Sequence, residues 1–218
     1  MEWRLLEGVP DEEVRRLLSV ARRRRFRTGE VVFHRGDPGD SLHLIVKGRF
    51  AIRVTTPLGE LATLAVRGPG DSFGEMALVT SARRRSATVE ALEESETFCV
   101  YEGEFERLRR AYPSVSDVIS SFLVHEIWAL EERLLEALYL PVERRVLRRL
   151  NELARVYAGN ETGPVDIPLT QEEIASLAGS TRATVNNILQ DAQSRGLIEL
   201  SRGNTRIIDR DALDRKAH

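Results

Sequence analysis

Between Pro113 and Pro141 the residues Leu123, Ile127, Leu130, Leu134 and Ala137 fall at successive spacings of 4, 3, 4 and 3, the heptad seam of a coiled coil. The pattern predicts one long helix running to Leu140. Pro141 stops it and begins the next element, which makes that junction a natural hinge. A lone amphipathic helix would carry a broader stripe against its own domain, so the seam reads as a dimerisation surface, with packing on its own domain as the alternative. The chain then divides into residues 1–112, a central helix over 113–140, and residues 141–218.

Ahead of the seam, Asp11 to Arg24 reads as helical, with Val14, Leu17, Leu18 and Ala21 recurring at intervals of three and four. The period then shortens. From about Phe26 to Tyr101 short β-rich runs are punctuated by Gly36, Gly39, Gly48, Gly59, Gly68, Gly70 and Gly74, as in a compact antiparallel barrel or roll. Phe50, Ile52 and Val54 alternate with Arg49, Ala51 and Arg53, the signature of a half-buried strand.

After the hinge, Val142 to Ala158 reads as a helix and Gly159 to Pro164 as a surface loop. Thr170-Gln171-Glu172-Glu173 is a capping box that opens a short helix, Gln171 to Ala178. Gly179 makes the turn, and a second helix capped by Ser180 or Thr181 runs from Arg182 to about Ser194. Ala175, Gly179 and Val185 have the spacing of a helix-turn-helix: a small residue where helices touch, a glycine free to take positive φ, and a buried β-branched residue. The exposed face of the second helix carries Arg182, Thr184, Asn186 and Asn187, groups suited to base edges and phosphates. Leu197 to Leu200, the turn Ser201-Arg202-Gly203-Asn204, and Thr205 to Ile208 form a hairpin that completes a wing. The alternative is a small helical domain for protein contact. The expected class is α+β: an antiparallel β-roll, a long dimerisation helix and a C-terminal winged helix-turn-helix.

Composition excludes other classes. At 218 residues, with 42% apolar and 30% charged, the chain can bury two cores. No run approaches the ~18 apolar residues of a membrane span, and Met1-Glu2-Trp3-Arg4 lacks an apolar signal segment, so the expected place is the cytoplasm, without a membrane. The one cysteine, Cys99, excludes an intramolecular disulfide and a four-cysteine metal or iron-sulfur site; it reads as a small buried apolar residue. The net charge of -2 gives no global sign of a nucleic-acid partner, and Pro141 to His218 carries 12 Lys and Arg against 11 Asp and Glu. DNA binding therefore rests on motif and position. There is no nucleophile–base pair, metal-ligand cluster or Walker motif, so no enzyme and no metal site is expected. His34, His43 and His125 read as surface or hydrogen-bonded histidines rather than haem ligands.

Gly74-Glu75-Met76-Ala77-Leu78, followed at short distance by Arg85-Ser86-Ala87, resembles the phosphate-binding cassette of the catabolite activator protein and fumarate-nitrate regulator family. With the helix-turn-helix and heptad helix, the resemblance covers nearly the whole chain. It implies that Glu75 accepts from a ribose 2'-hydroxyl and Arg85 pairs with a cyclic phosphate, with Gly74 and Ser86 offering an amide and a hydroxyl, and Met76, Ala77 and Ala87 completing the two motifs. Cyclic AMP or cyclic GMP is the effector it implies; no other cofactor is. The alternative is a Glu75–Arg85 ion pair in a cassette that has lost its ligand. Where cyclic-AMP-responsive members place adjacent Thr and Ser on the central helix, this chain has Leu130 and Glu131. Glu131 could accept from a guanine amine or be a solvated charge.

The same resemblance gives Arg182 the guanine-reading position and makes Gln171, Thr181 and Thr184 phosphate contacts. Ala183 and Asn187 replace the Glu and Arg of the best-known pattern, which points to a different half-site. The function implied is a homodimeric transcription regulator on an inverted-repeat duplex, with RNA polymerase a partner and the loop Gly159 to Gly163 a candidate patch for it. The alternatives are a member active without effector and controlled by its abundance, and a nucleotide-binding module governing an enzyme or channel, which would not need Thr170 to Ile208.

Overall fold

The structure is a computed structural model that describes residues 2–159 and 163–217. In chain order the elements are α1 (Asp11–Val20), β1 (Arg22–Phe26), β2 (Val31–Phe33), β3 (Ser41–Lys47), β4 (Phe50–Thr55), β5 (Leu61–Arg67), β6 (Ser72–Phe73), α2 (Glu75–Val79), β7 (Thr88–Ala91), β8 (Ser95–Tyr101), α3 (Glu102–Ala111), α4 (Ser114–Tyr139) and α5 (Val142–Ala158). They continue with β9 (Val165–Ile167), α6 (Gln171–Ala178), α7 (Arg182–Ser194), β10 (Ile198–Ser201), β11 (Asn204–Ile207) and α8 (Arg210–Ala217). The chain forms two compact units, Met1–Val54 with Leu64–Ala129, and Thr55–Thr63 with Leu130–His218.

The first unit is built on two four-stranded antiparallel sheets, ordered β1-β8-β3-β6 and β2-β7-β4-β5. One core cluster gathers Leu17, Leu42, Leu44, Val100, Phe105, Leu108, Val115 and Ile119, so the start of α4 is packed into this unit. The other gathers Phe26, Ile45, Phe50, Phe73, Val89 and Ala91. The turn Lys47-Gly48-Arg49 joins β3 to β4 with Gly48 at φ +79 and its α-carbon against Ser95, where an added Cβ would come within 2.7 Å of the Ser95 Cα; glycine is required there.

In the second unit, α5 presents Val146, Leu147, Leu150 and Leu153 to a core shared with Ile174, Val185, Leu189, Ile207 and Leu213. The capping box forms as expected: the Glu173 amide donates to Thr170 Oγ1 at 3.3 Å and the Thr170 amide to Glu173 Oε2 at 2.7 Å. Gly179 takes φ +58, and Thr181 caps α7 by accepting from the Thr184 amide. The hairpin β10–β11 gains a third strand, β9, on its far edge.

Helix α4 runs almost as far as the seam predicts. Ile127, Trp128, Leu130, Leu134, Leu135 and Leu138 are each more than half exposed on the single chain. Its last turns are fixed to α5 by charge. Glu136 and Arg149 are both buried and 2.6 Å apart, Arg148 reaches the second oxygen of Glu136 at 2.8 Å, and Glu152 joins Arg149 at 3.0 Å and Arg133 at 3.2 Å. Burial lowers the pKa of Arg149, and Glu152 and Glu136 work against that fall.

Two local expectations are corrected. The first helix does not reach Arg24; it ends at Val20, and Arg22–Phe26 is a strand paired with β8. Arg23 and Arg25 both engage the Glu96 carboxylate and Phe26 enters the core, so tertiary pairing overrides the helix propensity of an arginine run that has no apolar face. β4 is a strand, yet not half-buried by alternation: Ala51 and Arg53 are buried beside Phe50, and Arg53 pairs with Glu90 on the neighbouring strand at 2.5 Å. The expected loop Gly159 to Pro164 includes residues 160–162, which lie outside the described residues.

Removing one partner of a buried ion pair leaves the other uncompensated, at a cost of about 3–5 kcal/mol, whereas a lost N-cap costs about 1 kcal/mol. Glu136→Ala is therefore expected to destabilise the folded α5–α8 region well beyond Thr170→Ala. Urea unfolding followed by circular dichroism checks the order; equal midpoints would show that the Glu136 network contributes little.

Candidate functional site

The segment between α2 and β7 is held by its backbone against residues 36–39. The amides of Gly36 and Gly39 donate to the carbonyls of Arg85 and Arg83, and the Arg85 amide donates to Asp37, each at 2.9 Å. This aims the Arg85 side chain inward, where it is 4% exposed. Nη1 donates to the Ser41 carbonyl at 2.6 Å and the Gly74 carbonyl at 3.2 Å, and Nη2 to Ser41 Oγ at 3.0 Å. The guanidinium lies 4.1 Å from the centre of the Phe33 ring and 3.7 Å from Asp40.

Gly74 sits at φ +91 ahead of α2, and a Cβ there would come within 2.7 Å of Arg85 Nη1 and 3.1 Å of the Ser41 carbonyl. Only glycine allows Arg85 this close. Glu75 follows and is buried; among the described residues its Oε2 and the Nε of Arg85 have no hydrogen-bond partner. Burial pushes the Glu75 carboxyl above the ordinary carboxylate range, and its own amide, Arg67 and Arg85 pull against the rise. Burial likewise lowers Arg85, with Asp40 opposing.

Of the other residues expected in the cassette, Met76 is exposed and accepts from the Ser86 hydroxyl at 3.7 Å. Ala77 and Ala87 are buried; the Ala77 methyl occupies the space a side chain at Gly39 would need. Leu130 and Glu131 are exposed positions of α4 and belong to the second unit. The sequence gives no sign of Ser41 and Asp40, which complete the surroundings of Arg85, or of Arg67 and Glu126, whose charges act on Glu75 in opposite directions. Those side chains come from strand ends and a helix face with no motif of their own. His43 is buried, stacked on Phe73 at 4.9 Å, and its Nδ1 lies 2.9 Å from the Thr97 hydroxyl. Burial, then Arg85 and Arg24, lower its pKa to about 3, so it is neutral at physiological pH.

Chemically, a buried guanidinium and a buried carboxylate, each with an unpartnered atom, fit a ligand that is anionic at one end and donates a hydroxyl at the other. The anionic end would take over Arg85 contacts now made by the Ser41 and Gly74 carbonyls.

The second cluster lies on α6, α7 and the wing. Val185, Leu189 and Ala192 bury one face of α7, leaving Arg182, Ala183, Asn187 and Gln190 exposed on the other. Gln171 and Arg182 line one groove with Arg202 at the tip of the wing. Gln171 Nε2 donates to Asn186 Oδ1 at 3.0 Å, bracing α7 against α6, and the Thr181 and Thr184 hydroxyls pair at 2.9 Å in the cap. Thus Arg182, Ala183, Asn187 and Arg202 are exposed, while Gln171, Asn186, Thr181 and Thr184 also hold the helices in place. Gln190, not expected from the sequence, continues the exposed edge one turn beyond Asn187.

Two family models match: residues 23–112 match the cyclic nucleotide-binding domain and residues 144–216 the Crp-like helix-turn-helix domain. The chain is 30% identical to the cyclic AMP receptor protein of Thermus thermophilus, over 93% of this chain and 91% of that one. It is 29% identical to a CRP-like cAMP-activated global transcriptional regulator of Mycobacterium tuberculosis, over 98% and 96%. Among solved structures, the c-di-GMP responsive global regulator CLP of Xanthomonas campestris superposes with a TM-score of 0.77 at 20% identity, covering 92% of this chain and 100% of that one.

The raised pKa of Glu75 carries a sign. Its neutral form is favoured on folding, so its contribution to stability is full below the ordinary carboxylate pKa of about 4.3 and is lost as pH rises through the elevated folded value. Glu75→Gln keeps a neutral group at every pH. Without ligand it is expected to melt above the unsubstituted protein at pH 8, by about 2–4 °C per kcal/mol relieved, with the gap closing toward pH 4. Calorimetry across that range checks it; a gap independent of pH would assign the effect to packing.

Proposed function

The chain belongs to the catabolite activator protein and fumarate-nitrate regulator family of DNA-binding transcription regulators, and from that premise we propose that it is a cytoplasmic homodimer gated by a cyclic nucleotide. The observation that carries the gate is the cassette itself: Glu75 Oε2 and Arg85 Nε are buried and unpartnered among the described residues. A ribose hydroxyl and a cyclic phosphate have the matching chemistry, and two relatives are named for cyclic AMP. The dimer is supported by the exposed apolar stripe of α4, since fully burying one such side chain is worth about 1.5–3 kcal/mol. A two-fold dimer reads an inverted repeat, with half-site centres about 34 Å apart. RNA polymerase is the partner expected of a regulator bound this way.

Ligand shifts the balance only through different affinities for two states. A second reading has one observation in its favour. The Arg85 nitrogens Nη1 and Nη2 are already engaged by Ser41 and Gly74, as in a cassette that closes on itself and leaves the protein active without effector. Titration calorimetry with cyclic AMP and with cyclic GMP, alongside DNA binding with and without each, separates the two. Saturable binding that tightens on DNA, and that Arg85→Leu abolishes, is expected. Affinity unchanged in Arg85→Leu would move the phosphate elsewhere, and no binding to the unsubstituted protein would favour the second reading. The preference between the two nucleotides, compared in Glu131→Gln, tests whether that carboxylate meets the base.

On DNA, a bidentate arginine–guanine pair is worth about 1–3 kcal/mol of discrimination. Arg182→Ala is expected to remove preference at one guanine of each half-site while the protein stays dimeric in sedimentation. Base preference unaltered in a randomised-site selection would take Arg182 out of the reading role.

A further inference from the structure

We propose that Lys216, near the end of α8, is a positioning residue for DNA binding: with Arg195 it neutralises Asp191, the one carboxylate on α7, and so lets that helix lie against phosphates. The inference rests on the reading of α7 as the helix that meets DNA and adds what makes its surface acceptable to a polyanion. Between Arg182 and Ser194 the helix carries two charged side chains, Arg182 and Asp191. Asp191 follows Asn187 by four residues and Thr184 by seven, so it stands on the flank of the helix that holds these two expected DNA contacts. Its side chain is 43% exposed. A bare carboxylate there would face a duplex that carries one phosphate charge per about 1.7 Å of its axis.

The carboxylate is not bare. Lys216 Nζ donates to Asp191 Oδ2 at 2.9 Å, Arg195 Nε lies 2.9 Å from the same oxygen, and Arg195 Nη2 donates to Oδ1 at 3.0 Å. The arginine is local, four residues further along the chain, with the acid on the N-terminal side of the pair. The lysine is brought from another helix. It is one of two lysines in the chain, and its Nζ also lies 2.9 Å from Glu143 Oε1 in the first turn of α5. A compact ammonium with three donors can meet two carboxylates on different helices, where a flat guanidinium suits one. Burial works against the charge of Lys216, but Asp191 and Glu143 outweigh it and raise its pKa. The hydrogen bonds from Lys216 and Arg195 hold the Asp191 carboxyl below the usual carboxylate range.

Helix α8 is seated so as to deliver that ammonium. Leu213 and Ala217 are buried, Asn151 on α5 donates to Asp214 Oδ1 at 3.1 Å, and Arg148 on α5 donates to the Ala217 carbonyl at 3.2 Å. Lys216 stands between those last two anchors with 23% of its side chain exposed, turned to Asp191 and Glu143 rather than to solvent. A lysine that met phosphates itself would extend into solvent; this one acts on DNA through Asp191. The other exposed side chains of the third and fourth turns of α7, Gln190, Gln193 and Ser194, are neutral. With Asp191 compensated, Arg182 is left as the one uncancelled charge of the helix.

The test measures the affinity of the full chain, by fluorescence anisotropy at low salt, for a duplex that the unsubstituted protein selects from a randomised pool. Lys216→Gln is expected to weaken binding by about two- to fivefold, the size of a partly exposed pair lost while Arg195 remains. The deficit is expected to shrink as salt is raised. Asp191→Asn is expected to bind at least as tightly as the unsubstituted protein, and Lys216→Gln added to it is expected to cost nothing further. Glu143→Gln leaves the ammonium to Asp191 and supplies a second arm should Lys216→Gln fold poorly; its affinity is expected to be unchanged. A deficit that persists in the Asp191→Asn background overturns the proposal, and a log–log salt slope shallower there by about 0.9 would make Lys216 itself a phosphate contact. Unchanged affinity in Lys216→Gln overturns it, as does weakening in Asp191→Asn or Glu143→Gln equal to that in Lys216→Gln, which would make the pair a fastening of the fold alone. The reading of α7 fails separately, through base preference unaltered in Arg182→Ala.

Discussion

Helix α4 imposes the constraint on which the rest of the structure depends: it must be held at both ends while much of its apolar surface is left uncovered on the single chain. Its two ends solve this differently. Near the N-terminus Val115 and Ile119 are buried in the first unit, so ordinary packing holds that end. Toward the C-terminus Leu134, Leu135 and Leu138 are exposed, and the helix is fastened to α5 by the buried Glu136–Arg149 pair and its neighbours. An apolar contact at that end would have drawn on the same surface that the proposed dimer needs. A charged one fixes geometry without competing for the seam, although a buried ion pair adds little net stability over an apolar isostere.

The division between what could be read from the sequence and what could not follows the range of the interactions involved. The heptad helix, the capping box at Thr170 and the turn at Gly179 are local: spacing, an N-cap and a positive φ decide them, and each is found where its signal stands. The strand Arg22–Phe26 is a long-range product, since four consecutive arginines have no reason to be extended until β8 offers Glu96 and a place for Phe26. The same holds for β9 and α8, which are short and carry little periodicity but complete the sheet and the core of the second unit. At the cassette, Gly74, Glu75 and Arg85 are legible as a motif. Ser41, Arg67 and Glu126 are not, because each earns its place only through a partner more than ten residues away.

The electrostatics of the cassette run against what stability alone would select. A buried donor or acceptor without a partner costs about 1–3 kcal/mol, and both Glu75 and Arg85 carry one. Arg85 offsets part of this through the Ser41 and Gly74 carbonyls and the face of Phe33. Glu75 is helped by its own amide and by the Arg67 and Arg85 charges, but burial outweighs them and its carboxyl favours the proton. His43, close enough to feel Arg85, avoids the conflict by remaining neutral and stacking on Phe73. Each group is thus partly compensated by protein and keeps one buried atom, Arg85 Nε or Glu75 Oε2, without a partner among the described residues.

Those unpaired atoms bear on how a ligand would gate the protein. Engaging Arg85 exchanges one set of acceptors for another at Nη1 and Nη2 and supplies an acceptor at Nε. Engaging Glu75 supplies a donor at Oε2. Relief of about 1–3 kcal/mol at either atom corresponds to roughly a 5- to 150-fold gain in affinity. Both ends of the ligand can therefore generate a difference between two states, provided the states differ in how far they leave these atoms unpaired. A regulator needs that difference, because binding two states equally tightly shifts neither.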